Sequence, residues 1–162
     1  MTSTIPRKKP RYPYDWLAIL DDELCRQTDA LRVDAQSLVD TFWMEHYRVR
    51  HESPFGEWGK LGVRVRSYVH TFGIEWYINT FIFRGDKRLM FSKTLVRNKR
   101  TGRYHFNDCK RQAKDWELIL AKQLETEMGH IRRQLDAVNR LRRVLHCYQT
   151  PGKKPQGYSQ DD

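Results

Sequence analysis

Apolar residues recur at helical spacing in the first third of the chain. Within residues 15–46 they include four leucines, each seven positions from the next: Leu17, Leu24, Leu31 and Leu38. A sustained seven-residue repeat predicts a long helix with an apolar stripe that packs against another helix. We therefore expect a first helix over residues 15–48.

The spacing changes to alternation after a segment rich in helix breakers: Ser53, Pro54, Gly56 and Gly59. From Leu61 to Val69, apolar residues alternate with polar or basic ones, which predicts a strand with one buried face and one basic face. The run from Ile74 to Arg84 is apolar on both faces and is typical of a central strand. We expect Ile74 to Phe83 to be mainly core.

Further short strands are predicted after the central one. Residues 85–87 should form a tight hairpin turn, and the run from Leu89 to about Val96 should be a third strand. The basic segment 97–103 carries a Thr-Gly turn signal and should be an exposed loop. Residues 104–106 are compatible with a short fourth strand, and the short connections favour antiparallel order.

A second seven-residue repeat follows in the last third of the chain, through Leu124, Ile131, Val138 and Leu145. It predicts a helix over residues 108–148, capped by Asn107 or Asp108. The helix should pair antiparallel with the first helix or form a dimer. The expected fold class is α+β: two long antiparallel helices bracketing a three- to four-stranded antiparallel β-meander, as a single domain over residues 14–148 with the sheet in residues 60–106.

The two ends of the chain have compositions that cannot form a core. Residues 1–13 hold three prolines and four basic residues without an acid, and we expect a disordered basic arm. Such an arm either adds contacts to phosphates or only aids solubility. Residues 149–162 are expected to be a disordered tail.

Positive charge is concentrated in the predicted sheet. The chain carries a net charge of +10, and residues 60–106 contain eleven basic residues against Glu75 and Asp86. This charge favours an anionic partner, with nucleic acid ahead of an anionic membrane surface. The candidate nucleic-acid-binding residues are Arg64, Arg66, Arg84, Lys87, Arg88, Lys93, Arg97, Lys99, Arg100 and Arg103. Within this set, the segments 84–88 and 97–103 are the expected main contact points.

The two helices differ in charge. Residues 14–50 hold eight acids against four bases, whereas the last helix carries a basic stripe at Arg132, Arg133, Arg140, Arg142 and Arg143. We expect this stripe to pair with the acidic first helix of the same chain or of a second subunit.

Other chemistry finds little support in the sequence. The three cysteines form no C-x-x-C pair and are expected to be free buried thiols, and the histidines show no metal-ligand spacing. We expect no catalytic site, no cofactor and no metal, although Asp86 beside Lys87 leaves a nuclease-like site open. No run of about 18 apolar residues or signal sequence is present, so we expect a cytoplasmic protein.

The order of parts resembles a known family. An acidic heptad helix is followed by a basic aromatic meander with GIEWYINTFIF and RLMFSKTLVRNKRTGRYHF, and then by a helix with ETEMGHIRRQLDAVNRLRR. Over residues 14–148 this is similar to the MobI family of auxiliary mobilisation proteins of integrative and conjugative elements and conjugative plasmids. The resemblance implies a DNA-binding factor that recognises the origin of transfer and helps a separate relaxase without cutting DNA itself.

Two alternative functions remain open from the residues alone. The heptad helices could form a non-enzymatic protein-interaction module, in which the charge serves solubility or an acidic partner. The basic meander could instead serve an RNA-binding or nuclease accessory protein. A relaxase, other mobilisation proteins and a second copy of the chain are the expected protein partners.

Overall fold

The fold consists of two long helices and a three-stranded sheet. A computed structural model of the chain describes residues 16–54, 57–98 and 100–149. Its elements are α1 (Trp16–Glu52), β1 (Leu61–Ser67), β2 (Phe72–Arg84), β3 (Lys87–Thr94), a 3-10 turn (Phe106–Cys109) and α2 (Asp115–Gln149). The sheet has the order β1-β2-β3 with antiparallel pairing throughout. The predicted α+β class is confirmed, while the predicted arm and residues 150–162 of the predicted tail lie outside the described residues.

The helices pack antiparallel along their apolar stripes. Arg142, near the end of α2, donates a hydrogen bond of 3.3 Å to Thr28, near the start of α1. At the other end of the pair, His46 of α1 lies 3.4 Å from Glu117 of α2. The buried stripe of α1 follows the spacing of three and four residues that a packed helix requires: Leu24, Thr28, Leu31, Ala35, Val39, Phe42 and His46.

One face of the sheet completes the core. Alternate residues of β2 point into it, and residues of β1 in register with them point the same way. Trp76 lies at the centre, fully buried, with its ring in edge contact with Phe42 of α1 and with Phe106. The core face of the sheet is formed by Leu61, Val63, Phe72, Ile74, Trp76 and Ile78.

The outer half of β2 leaves this core. β1 pairs with β2 only as far as Ile78, so beyond Asn79 the central strand has β3 as its sole ladder partner within the described residues. Every side chain of β3 is exposed. The prediction that Ile74 to Phe83 is mainly core is therefore correct only up to Ile78, where the buried residues of β2 end together with the ladder to β1. We call residues 80–93 the ribbon.

Two boundaries differ from the predictions. The expected fourth strand is only an isolated bridge between Arg97 and Tyr104. The second helix begins at Asp115 instead of residue 108, because Phe106 and Cys109 are buried in a separate 3-10 turn that packs on the core. The amide of Lys114 then donates to Glu117 over 2.9 Å, which is one half of a capping box at the true start of α2.

The cysteines do not share one environment. Cys109 is buried, whereas Cys25 and Cys147 are exposed. The expectation of three buried thiols is therefore wrong for two of them. Cys25 follows the buried Leu24 by one position, which rotates its side chain by about 100° away from the packed stripe.

Candidate nucleic-acid interface

A tight turn brings basic side chains together at the end of the ribbon. Arg84 pairs with Lys87 across a two-residue connection, and Gly85 in that connection has φ of 61°. Only glycine adopts this left-handed conformation without steric cost, so the turn is well matched to its sequence. The ribbon exposes four cations against the single acid Asp86: Arg84, Lys87, Arg88 and Lys93.

The ribbon is apolar on both of its faces. On one face, the guanidinium carbon of Arg88 lies 3.9 Å from the ring centroid of Phe81, and Phe83 and Met90 are exposed beside them. The opposite face exposes three further apolar side chains: Ile82, Leu89 and Phe91. A strand pair in water normally keeps one polar face, so this composition is typical of a segment that contacts a partner.

On the outer sheet face over β1, one carboxylate offsets part of the charge of two arginines. Arg64 donates to Glu75 Oε2 over 2.9 Å, and Arg66 lies 3.6 Å from Oε1 of the same carboxylate. The hydroxyl of Tyr68 donates to that Oε1 over 3.0 Å, and burial raises the pKa of this phenol, with a further contribution from Glu75. The two predicted cations of β1 thus share one carboxylate, and the four predicted cations of the ribbon lie farther along the sheet.

Tyr77 covers the start of β1 next to this cluster. A Cβ on Gly62 would lie 2.4 Å from the Tyr77 ring, so a glycine at this position lets the ring lie flat over the strand. The guanidinium of Arg64 lies 5.2 Å from the ring centroid on the same face. Burial raises the pKa of the Tyr77 phenol, and the charge of Arg64 partly opposes this change.

The second basic segment forms a loop in which the described residues, 97–98 and 100–103, are joined by hydrogen bonds. The side-chain oxygen of Asn98 accepts hydrogen bonds from the amides of Arg100 and Thr101, over 2.9 and 3.0 Å. Gly102 has φ of 67° and its amide donates to the carbonyl of Asn98 over 2.9 Å. Three predicted cations of the loop are exposed on it, namely Arg97, Arg100 and Arg103, whereas Lys99 lies outside the described residues.

A buried ion pair holds this loop on the core. Glu125 accepts hydrogen bonds from the Trp76 indole and from the Tyr104 amide, each over 2.9 Å, and pairs with Arg132. Arg132 in turn donates to the carbonyl of Gly102 over 3.3 Å. Burial lowers the pKa of the Arg132 guanidinium, and the Glu125 charge opposes this change. Arg132 thus links the basic loop to Glu125 in the core.

A second buried carboxylate holds the start of the sheet. Glu117 accepts hydrogen bonds from the amides of Leu61 and Lys114, over 2.8 and 2.9 Å. A Cβ on Gly59 would lie only 2.0 Å from Glu117 Oε1, so the chain approaches this carboxylate closely. The sequence interpretation missed both carboxylates. The sequence feature that could have revealed them is their spacing: Glu117 and Glu125 are eight residues apart, which places both on the buried face of α2.

The basic stripe of α2 does not pair with α1 as expected. Across the described ranges, no arginine of α2 forms an ion pair with an acid of α1. Arg142 instead donates to the carbonyl of His70 over 2.6 Å, which fixes the turn between β1 and β2 on the helices. Arg133, Arg140 and Arg143 are exposed. Within the stripe, Arg132 pairs with Glu125 of its own helix, and Arg142 donates to a carbonyl and a hydroxyl.

Comparison with known proteins places these features in a family. The family model described as MobI protein matches residues 31–146, which include most of α1, the whole sheet and nearly all of α2. The chain belongs to the MobI family. The matched range contains the ribbon, the basic loop and both buried carboxylates, and MobI membership gives the chain a role related to mobilisation.

No curated protein and no solved structure matches the chain. Within the described part of this MobI protein, none of the helices is long and apolar enough to cross a membrane.

Proposed function

We propose that this MobI protein is a DNA-binding auxiliary factor of conjugative mobilisation, which recognises the origin of transfer and assists a separate relaxase. The observation that carries the proposal is the ribbon, whose two strands expose four cations and whose turn holds its one acid, Asp86. Clustered Arg and Lys side chains neutralise phosphates and release counterions, which is the main source of affinity for DNA.

The dimensions of the ribbon suit a DNA groove. The major groove is about 12 Å wide and admits a two-stranded β-ribbon. From Thr80 to Arg84 the ribbon extends about 17 Å beyond the last core residues, at about 3.4 Å per residue. The cations at the end of the ribbon can therefore reach backbone phosphates while its strands lie in the groove.

The basic loop supplies a second contact point at the other end of β3. Lys87 and Thr94 are seven residues apart, which corresponds to about 24 Å along a strand. Arg97 follows shortly after, so the end of the ribbon and the loop are separated by roughly seven base pairs along a duplex at 3.4 Å per pair. In this arrangement Arg97, Lys99, Arg100 and Arg103 contact phosphates away from the ribbon. Arg64 and Arg66 contribute less because Glu75 already pairs with them.

A surface of the helix pair supports a second candidate function, contact with a protein partner. A cleft of about 510 Å³ is lined by residues of α1 and α2 alone, including Met44, Trp116 and Ile119. Further exposed apolar residues lie near the opposite end of the pair: Trp16, Ile19, Leu20, Leu141 and Val144. These two apolar regions could receive the relaxase, another mobilisation protein or a second copy of the chain, in line with a non-enzymatic interaction module.

Fluorescence anisotropy with the full chain tests the DNA-binding proposal. The probes are a duplex from the transfer origin of the parent element, a random duplex of equal length, and an RNA duplex of the same sequence, all at about 0.15 M salt. The proposal predicts the tightest binding to the origin duplex. Absence of binding to every probe would favour the interaction module, and tighter binding to RNA would favour the RNA accessory. Magnesium-dependent cleavage of a probe would contradict the non-enzymatic role.

A further inference from the structure

The aromatic ring nearest the end of the ribbon is left uncovered. Phe83 is 72% exposed and stands in register with Arg88, one residue before the turn pair Arg84 and Lys87. The neighbouring Phe81 is covered by the Arg88 guanidinium. Among the described residues, Phe83 has no ring or cation contact of this type.

Phe83 belongs to a continuous apolar surface. Ile82 and Leu89 pair on one face of the ribbon, and Phe81 and Met90 pair on the other. Single exposed apolar side chains are ordinary on a protein surface. A cluster of them on both faces of a two-stranded ribbon is unusual and is typical of a surface that binds a partner. A partner that surrounds the ribbon would cover both faces at once.

The charges around this surface indicate which partner fits. The cations Arg84, Lys87 and Arg88 flank Phe83 on both strands, and Asp86 in the turn is the one acid of the ribbon. The partner must therefore present negative charge at its borders and an apolar interior between them. Duplex DNA has this arrangement, with phosphates along the groove edges and stacked bases between them.

The two strands of the ribbon are continuously paired up to the turn. Its two strands are in register from Thr80 opposite Phe91 to Arg84 opposite Lys87. At its base, Ser92 Oγ donates to Asn79 Oδ1 over 2.7 Å. The ladder therefore fixes the face of the ribbon from which Phe83 projects, and little backbone order has to be gained on binding.

We propose that the ribbon enters a groove of duplex DNA and inserts Phe83 as a wedge between two base pairs, which kinks the duplex. This inference rests on the proposed DNA-binding function and gives it a mechanism. Apolar side chains inserted between base steps unstack them and bend DNA, and the bend lets the flanking cations contact more phosphates. Arg84 and Lys87, directly beyond the wedge, make these contacts.

The test measures DNA bending by energy transfer between dyes at the two ends of an origin duplex, together with affinity. The variants are Phe83→Ser, which removes the wedge, and Phe83→Leu, which keeps an apolar wedge. Val33→Ser on α1 is the control, because Val33 is also a largely exposed apolar residue. Circular dichroism confirms that each variant is folded, and Phe83→Leu remains informative if the serine variant does not fold.

The wedge predicts that wild type, Phe83→Leu and Val33→Ser bend the duplex, while Phe83→Ser loses the bend and at least about fivefold in affinity. Its salt dependence should become shallower, because the phosphate contacts that the bend gives to Arg84 and Lys87 are lost together with the bend. A Phe83→Ser protein that bends and binds DNA like wild type overturns the wedge and leaves DNA binding intact. If Phe83→Ser loses affinity for single-stranded DNA but not for the duplex, Phe83 contacts unpaired bases, and the wedge proposal is also overturned. If wild type binds no DNA, the proposed function itself fails.

Discussion

The indole N–H of Trp76 donates a hydrogen bond of 2.9 Å to the carboxylate of Glu125, and both side chains are buried. The same carboxylate accepts the amide of Tyr104 and pairs with Arg132. A single residue of α2 thus joins the central strand to the segment that follows the basic loop. The position of that loop depends on a charge pair inside the core.

Replacement of Glu125 by Ala should strongly destabilise the fold. It leaves Arg132 buried without its ion-pair partner, and breaking a buried pair in this way costs about 3–5 kcal/mol. Urea unfolding measures the loss, with Glu127→Ala on the exposed side of the same helix as the control. The double replacement Glu125→Leu with Arg132→Met should recover much of the stability, because no buried charge is left unpaired. Equal stability of the Glu125 and Glu127 variants would contradict the role of the pair.

Two glycine positions should respond in opposite directions to alanine. At Gly62 the new Cβ would lie 2.4 Å from the Tyr77 ring, so Gly62→Ala should lower the free energy of unfolding by about 1–3 kcal/mol through overpacking. At Gly129, inside α2, the nearest atom is 3.5 Å away on Arg103, an ordinary contact. Gly129→Ala should therefore stabilise the protein by up to about 1 kcal/mol. Urea unfolding of both variants tests the pair, and an unchanged Gly62→Ala protein would show that the Tyr77 ring does not lie over β1.

The three thiols should differ in reactivity. Burial raises the pKa of the Cys109 thiol, so less of the reactive thiolate is present at a given pH, and reagents have no access to it. Iodoacetamide at pH 8 should label Cys25 and Cys147 in the folded protein and leave Cys109 largely unmodified, as read by peptide mass spectrometry. In urea all three should react. Rapid labelling of Cys109 in the folded state would contradict its burial.

Removal of Glu75, the acid of β2 that pairs with the arginines of β1, should increase DNA affinity. Glu75 pairs with Arg64 and Arg66, so Glu75→Gln frees both guanidiniums and removes a negative charge from the outer face of the sheet. We expect binding several-fold tighter at low salt and a smaller gain at high salt, because the effect is electrostatic. Glu127→Gln makes the same charge change on α2 and serves as the control. Identical affinities of the two variants would exclude the β1 face from the interface.

The periodicities of the chain were sufficient to predict the helices, the three strands and the hairpin. They could not predict where the core ends along β2, because the apolar pattern is the same before and after Asn79. The difference lies in β1, which stops pairing at Ile78 and leaves the second half of β2 with only β3 as a ladder partner among the described residues. Strand coverage is a property of the partner element and is not encoded in the alternation itself.

The site was likewise only partly predictable. Composition identified Arg84, Lys87 and Arg88 as a basic cluster, and the structure places them together at the end of the ribbon. Composition could not reveal that Glu75 pairs with two of the candidate arginines, because the pairing follows from the strand register. Nor could it assign Glu125, since a glutamate on a helix is usually exposed and its burial depends on Trp76 and Arg132 across the core.

The central claim, that the ribbon is the DNA-contacting surface, is tested most directly by the salt dependence of binding to duplex DNA. The variant Arg84→Ala with Lys87→Ala and Lys93→Ala removes three exposed cations of the ribbon, and Lys110→Ala with Arg111→Ala and Lys122→Ala removes three exposed cations elsewhere. If each ribbon cation neutralises one phosphate, the slope of log affinity against log salt should fall by about 2.7 in the ribbon variant, at about 0.9 per contact. The control variant should keep the wild-type slope. A ribbon variant with the wild-type slope, or equal changes in both variants, would contradict the claim.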